Sequence, residues 1–429
     1  MKGWIKTTLG ALVQDGSASY QTGPFGTALK ASEYSPDGVP LISVGEIREG
    51  YLQIHSTTPR VNKVVLDRLP KYILRKDDIV FGRKGAIDRN AIINEYQDGW
   101  FLGSDGIRLR LSGDHNSLYF SYLLRSRSIG QWLMQNSQGA IMPTLNQSIL
   151  DRLPVSIPDL KTQKKIAAVL SALDAKIAIN QRINLELEGM AKLLYDYWFV
   201  QYDFPLSAAQ AAALGKPRLA GQPYRTSGGK MVFNPTLKRE IPKGWIAKEL
   251  SDIAEITMGQ SPPGNTYNNE QNGVLFFQGS TDFGWRYPSP RQYTTAPTRM
   301  ARKGDILLSV RAPVGTLNIA PEECAIGRGL SALRSKSGSS SFLFQILQNL
   351  QQVFARRNGD GTTFGSINRD DLRSLQLAYP SEEDIIRSFD RIVSETDALI
   401  FANHQQNQEL TALRDWLLPM LMNGQVRVG

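Results

Sequence analysis

Arg83 and Lys84 lie between Gly82 and Gly85, and Arg311 precedes Ala312-Pro313 in a corresponding stretch of the second half of the chain. These are residue types that hold a polyanion. Glycine lets the backbone approach a phosphate, and the neighbouring cation neutralises it. Arg89 closes the first of these loops. A second pair of loops carries Thr144 and Asn146 in residues 138–146, and Thr362 and Thr363 in residues 359–368. Hydroxyls and amides of this kind suit phosphate oxygens. A third pair sets residues 45–48 against 278–281, where Gln278 and Ser280 stand, with Arg286 close behind. Glutamine and arginine read base edges in the major groove. Arg328 and Arg357 add positive charge in the second half. Any one of these residues also fits a solvated surface. As a set, recurring in corresponding places, they point to contact with DNA.

The chemistry stops at recognition. The three histidines, His55, His115 and His404, have no metal-ligand spacing. No phosphate-binding Gly-x4-Gly-Lys-Ser/Thr loop occurs, because Ser227-Gly228-Gly229-Lys230 has the wrong upstream spacing and is followed by Met231. Ser261-Pro262-Pro263-Gly264 echoes the loop with which amino-methyltransferases grip a base, but it lacks the amide and the aromatic and reads as a turn. No catalytic residue, metal or cofactor is expected. A formal net charge of +9 makes nucleic acid the leading partner class, although many basic surfaces bind nothing specific. One cysteine, Cys324, fits a reducing cytoplasm, the expected location. No apolar run is long enough for a membrane helix, and the N-terminus lacks an apolar signal core.

The loops recur because the chain does. Lys-Gly-Trp-Ile occurs at 2–5 and at 243–246. Arg75-Lys76-Asp77-Asp78-Ile79-Val80 lines up with Arg302-Lys303-Gly304-Asp305-Ile306-Leu307, and Leu145-Asn146 with Ile367-Asn368. Asp174, Asn180 and Asn184 recur as Asp397, Asn403 and Asn407, each 223 positions later (397 − 174). Such a period is far above that of solenoids and propellers, so this is a domain-scale duplication. The first part of each copy is rich in short β-like runs punctuated by glycine and proline, with apolar helical stretches at 118–134 and 342–354.

The second part of each copy is one long helix. Ile166, Leu170, Leu173, Ile177, Asn180, Asn184, Leu187, Ala191, Leu194 and Trp198 alternate steps of four and three, a heptad seam. The same seam recurs from Phe389 to Leu421. In an antiparallel pair Asn180 would face Asn407 and Asn184 would face Asn403. Buried there, the asparagines would set register; the alternatives are a solvated stretch of the seam or a site for another subunit. Residues 200–242, with Ala208 to Ala213 and Ser227-Gly228-Gly229-Lys230, have the composition of a connector.

In order and in duplication, these features resemble the specificity subunit of type I restriction–modification systems over the whole chain. The carriers are Pro242-Lys243-Gly244-Trp245, Lys303-Gly304-Asp305-Ile306-Leu307 with Arg311-Ala312-Pro313-Val314-Gly315, Gly361-Thr362-Thr363 with Ile367-Asn368, and the two matching helices. The first copy departs from the pattern at Arg83-Lys84-Gly85-Ala86 and at Ala140-Ile141-Met142.

The resemblance implies an α+β fold with a pseudo-two-fold repeat. Residues 1–157 and 243–379 are target-recognition domains, each a small twisted, mostly antiparallel sheet with helices. Residues 158–199 and 380–429 are spacer helices forming an antiparallel coiled coil, and 200–242 connect the repeats. It further implies a non-catalytic subunit on double-stranded DNA, two methyltransferase subunits, and motor-nuclease subunits in the full complex. Because the loops of the two copies differ, the two half-sites should differ. The rival readings are a stand-alone DNA-binding or antirestriction decoy protein, and a fused enzyme.

Overall fold

The computed structural model describes residues 4–139, 142–351, 354 and 366–428. The chain divides into two units, Met1–Asn180 with Gln405–Gly429, and Gln181–His404. The internal repeat is present in both, and each mixes helix and sheet.

In the first unit a four-stranded antiparallel sheet runs in the order Ala18–Thr22, Gly106–Leu111, Ile79–Gly82, Asn90–Ile92. In the second the same order is Ala254–Met258, Leu330–Ser335, Ile306–Ser309, Leu317–Ile319. One device sets both sheets. Asp78 accepts the Arg75 backbone N–H at 2.7 Å and is gripped at both oxygens by Arg110, at 2.6 and 2.7 Å. Asp305 accepts the Arg302 N–H at 2.8 Å and is gripped by Arg334, at 2.8 and 2.7 Å. Paired N–H···O bonds to a carboxylate are strong and directional, so each aspartate locks a turn to the neighbouring strand of the sheet. The residue before it has positive φ in both copies, 70° at Asp77 and 85° at Gly304. That conformation is free for glycine and tolerable for aspartate, which is why these two types alternate there.

Each unit carries a smaller sheet as well. Val39–Ile42 pairs antiparallel with Arg60–Val61 and parallel with Phe101–Leu102; Val274–Phe277 likewise pairs antiparallel with Tyr293–Thr294 and parallel with Cys324–Ile326. The parallel pairs are the exception to the mostly antiparallel pattern expected from sequence. The chain's opening strand returns to its own exit: Ile5–Thr8 pairs with Pro154–Ile157, and Trp245–Glu249 with Gln376–Pro380.

The long helices run Leu160–Tyr195, prolonged by a π-helical turn at Asp196–Val200, and Asp384–Met422. They lie antiparallel within each unit. In the first, Asp174 meets Arg414 at 2.8 Å, and Asn180 Nδ2 donates to Asn407 Oδ1 at 2.9 Å and Gln406 Oε1 at 2.7 Å. In the second, Asn403 Nδ2 donates to Asn184 Oδ1 at 2.8 Å, and the rings of Trp198 and Phe389 are 6.0 Å apart. Asn180 and Asn184 are buried.

Residues 200–242, the expected connector, are folded. Ser207 and Gln210 form a capping box on Ala208–Ala213, and Met231–Asn234 pairs with Arg239–Pro242. Phe204, Leu206 and Tyr224 enter the core of the second unit. There Phe204 stacks on Trp245 at 5.5 Å and on Tyr224 at 4.7 Å. Each such aromatic pair adds about 0.5–1.5 kcal/mol beyond its buried area. The tryptophan of the repeated tetrapeptide is thus the floor on which the intervening segment packs.

Candidate nucleic-acid interface

The loops singled out in the sequence gather at equivalent places in both units, through equivalent backbone contacts. In the first unit the Arg83 N–H donates to Asp105 O at 2.8 Å and the Leu145 N–H to Arg83 O at 2.8 Å, while Lys84 bridges to Thr144. In the second the Val310 N–H donates to Gly329 O at 2.9 Å and the Ile367 N–H to Val310 O at 3.0 Å, while Arg311 bridges to Ser366. Lys84 and Arg311 therefore hold the same position. The floor beneath them is equally repeated. A Cβ on Gly23 would meet Gly103 O at 1.8 Å, and one on Gly259 would meet Gly327 O at 2.2 Å. Only glycine permits these loops to touch.

On this frame the first unit presents Arg83, which lies 5.0 Å over the exposed ring of Phe25 and reaches Ser104 O at 3.4 Å. Lys84 is exposed, with Nζ 3.5 Å from Asp105 Oδ1. An exposed pair of that kind is worth little, so the lysine is free to exchange its partner for a phosphate. Arg89 is exposed, and Thr144 is half-buried with its hydroxyl donating to Met142 O at 3.3 Å.

In the second unit Arg311 and Arg328 are exposed, and Ser280 is half-buried. Gln278 Nε2 donates to Ser261 Oγ at 2.9 Å, and the Arg328 N–H donates to the same oxygen at 3.3 Å. Ser309 Oγ donates to the carbonyls of Arg311 and Pro313, at 2.7 and 2.8 Å, and so holds the loop that carries Arg311. The result in each unit is a cationic rim over backbone amides, able to take phosphate oxygens, with amide and hydroxyl side chains beside it.

Two expected contacts are corrected. Arg286 is 2% exposed and paired with Asp397, so it lies in the interior and not on a DNA-facing surface. Asn146 caps the helix Gln147–Asp151: its Oδ1 accepts the Ile149 N–H at 2.9 Å and Ser148 Oγ at 2.7 Å, and its Nδ2 turns to Gln138 Oε1. Its repeat, Asn368, caps Arg369–Arg373 in the same way. Asparagine is a preferred N-cap residue, and that signal was in the sequence. Arg357, Thr362 and Thr363 lie outside the described residues, as do Lys2 and Gly3 of the first tetrapeptide. Phe25 and Ser261 touch the candidate residues Arg83 and Gln278 and were missed. Phe25 had no signal beyond its type, and Ser261 was hidden in a stretch read only as a turn.

Among the described residues, no group of His, Cys, Asp and Glu is arranged to hold a metal. Burial pushes the Cys324 thiol up to about 12, which leaves it inert as a nucleophile. No helix among the described residues is long and apolar enough to cross a membrane.

Comparison with known proteins adds the following. The family described as "Type I restriction modification DNA specificity domain" matches residues 25–189 and again 242–412. The putative type I restriction enzyme MjaX specificity subunit of Methanocaldococcus jannaschii is 28% identical over 406 residues, which cover 91% of this chain and 88% of that protein. The type I restriction enzyme HindI specificity subunit of Haemophilus influenzae is 25% identical over 370 residues, covering 74% and 76%. In fold, the chain resembles the S subunit of a type I restriction–modification system from M. genitalium, with a TM-score of 0.59 over 98% of this chain and 96% of that one, at 14% identity.

Proposed function

The chain belongs to the type I restriction–modification specificity family, and from that premise we propose that it binds an asymmetric, two-part DNA target, one half through each unit. The loops around Arg83, Lys84 and Thr144 take one half-site, and those around Gln278, Ser280, Arg311 and Arg328 the other. The protein is a recognition subunit: it selects the sequence, and methyltransferase and motor-nuclease subunits act on it. The observation that carries this reading is the repetition of one backbone frame, Arg83–Asp105 and Val310–Gly329, beneath loops whose side chains differ. A shared frame with unlike side chains suits two unlike half-sites.

The long helices act as a coiled-coil spacer and as the dock for two methyltransferase subunits. Ile179, Ile183, Met190, Leu193, Tyr197 and Val200 form a second row at heptad spacing, and all are exposed. Met190 and Leu193 recur 223 positions on as Leu413 and Trp416, also exposed. A repeated apolar row left in water fits a repeated partner helix. It speaks against the stand-alone reading.

Co-expression with the methyltransferase subunit, followed by purification and sequencing of methylated DNA, tests the proposal. A stable complex that methylates adenine in one asymmetric sequence with an unread gap is expected. A palindromic or uninterrupted site, or tight and selective binding by the chain alone, would sink it. Arg311→Ala should weaken DNA binding and lower the slope of log affinity against log salt by about one, the release of one phosphate contact. An unaltered slope in a salt titration places Arg311 away from the DNA.

A further inference from the structure

Arg286 is a long cation in the interior of the second unit, its side chain 1% exposed. Arginine is almost never buried unless paired. Its Nη2 donates to Asp397 Oδ1 at 2.5 Å, its Nη1 is 3.6 Å from Glu188 Oε1, and its guanidinium lies 4.3 Å from the ring centroid of Phe344. The partners are themselves held. Asp397 Oδ2 accepts Ser341 Oγ at 2.6 Å, and Glu188 Oε1 accepts Gln348 Nε2 at 2.8 Å. Glu188 belongs to the helix Leu160–Tyr195 and Asp397 to Asp384–Met422, so one arginine touches both long helices.

Arg286 sits on the stretch between the strands Val274–Phe277 and Tyr293–Thr294, which also carries Gln278 and Ser280. The arginine's own carbonyl accepts the Ile319 N–H at 2.9 Å, which joins that stretch to the main sheet. Polar atoms remain unmatched around it: Arg286 Nε and Nη1 and the whole Gln345 amide are buried without a hydrogen-bond partner. A buried ionic cluster with leftover polar atoms is a weak source of stability, but it is satisfied in one arrangement only.

We propose that Arg286 is a positioning residue for sequence reading: by binding Asp397 and Glu188 it fixes the loop of Gln278 and Ser280 against the long helices. The inference rests on the DNA-reading assignment above. It is specific to the second unit. Asp174 is the repeat of Asp397, and it takes the Tyr122 hydroxyl at 2.5 Å and Arg414 at 2.8 Å. That arginine comes from the C-terminal helix and not from a reading loop.

The test uses the complex with its methyltransferase subunits, and duplexes bearing the matched target or one mismatched base pair. The readout is the ratio of methylation rates, matched over mismatched, in each half-site. In Arg286→Met the ratio should fall about tenfold for mismatches in the half-site read by residues 243–379, and stay within about twofold in the other. Asp397→Asn should do the same, and Arg286→Lys, which keeps the charge but not the fork, should fall between. Arg414→Met should leave both ratios unchanged. Loss of rate with unchanged ratios, or equal relaxation in both half-sites, overturns the proposal. If Arg286→Met does not fold, unchanged ratios in Arg286→Lys and Asp397→Asn overturn it equally. A wild-type complex indifferent to mismatches in both half-sites refutes the functional reading and this proposal with it. A discriminating wild type with unaltered variants refutes this proposal alone.

Discussion

Replacing residues 243–379 with the corresponding stretch of another family member should rewrite one half of the methylated sequence and leave the other half as it was. The graft is physically simple because its two ends lie together. Trp245 is opposite Pro380 and Ile246 opposite Tyr379 in one antiparallel pair, so the segment leaves the frame where it re-enters it. The graft should keep an aromatic at position 245, since Phe204 stacks on that ring and Tyr224 on Phe204. The old half-site then becomes a string of mismatches. Each costs about 1–3 kcal/mol, roughly additively, so three of them lower methylation of the old target by about a hundredfold or more. Sequencing the methylated sites of a strain carrying the chimaera reads both halves at once. A change in both halves would refute reading by separate units.

What the sequence revealed was whatever depends on neighbours along the chain. The match of residues 75–80 to 302–307 was visible because it is contiguous, whereas the grip of Arg110 on Asp78 and of Arg334 on Asp305 comes from about thirty residues away and was not. The long helices were visible because heptad spacing is a local pattern, and the asparagine pairs followed from that spacing alone. Apart from Asn146, whose capping role is local, the failures involve partners far away in the chain. Arg286 looked like a base reader beside Trp285. Its burial is decided by Glu188 and Asp397, about a hundred residues to either side, and by Phe344, about sixty residues on. That the connector 200–242 is folded was not visible either, because Phe204 packs between Tyr224 and Trp245, twenty and about forty residues on. The parallel pairing of Leu41 with Phe101 and of Phe276 with Ala325 joins strands about fifty to sixty residues apart, and no periodicity announces it. Ser261 acts only because Gln278 and Arg328 arrive from two other loops.

Inserting one heptad into each long helix should lengthen the unread gap of the target by about three base pairs. Seven residues add about 10.5 Å of helix, and B-DNA rises about 3.4 Å per base pair. The insertions belong after Leu187 and before Ile400. The Asn180–Asn407 and Asn184–Asn403 contacts then stay on one side, and the Trp198–Phe389 contact on the other. A heptad returns the seam to within about 20° of its former face, so both rows of side chains keep their neighbours. Three base pairs of DNA, however, turn by about 100°, so the new target must also twist or bend, and methylation should be slower than in the parent. The paired design carries its own control. A heptad in one helix alone keeps the asparagine contacts but slides Trp198 past Phe389, and the aromatic core around Tyr195 and Phe199 loses its partner. That variant should fail to fold or to assemble, whereas the double insertion should assemble and methylate. A double-insertion complex that methylates sites with the original gap would show that something other than these helices sets the spacing.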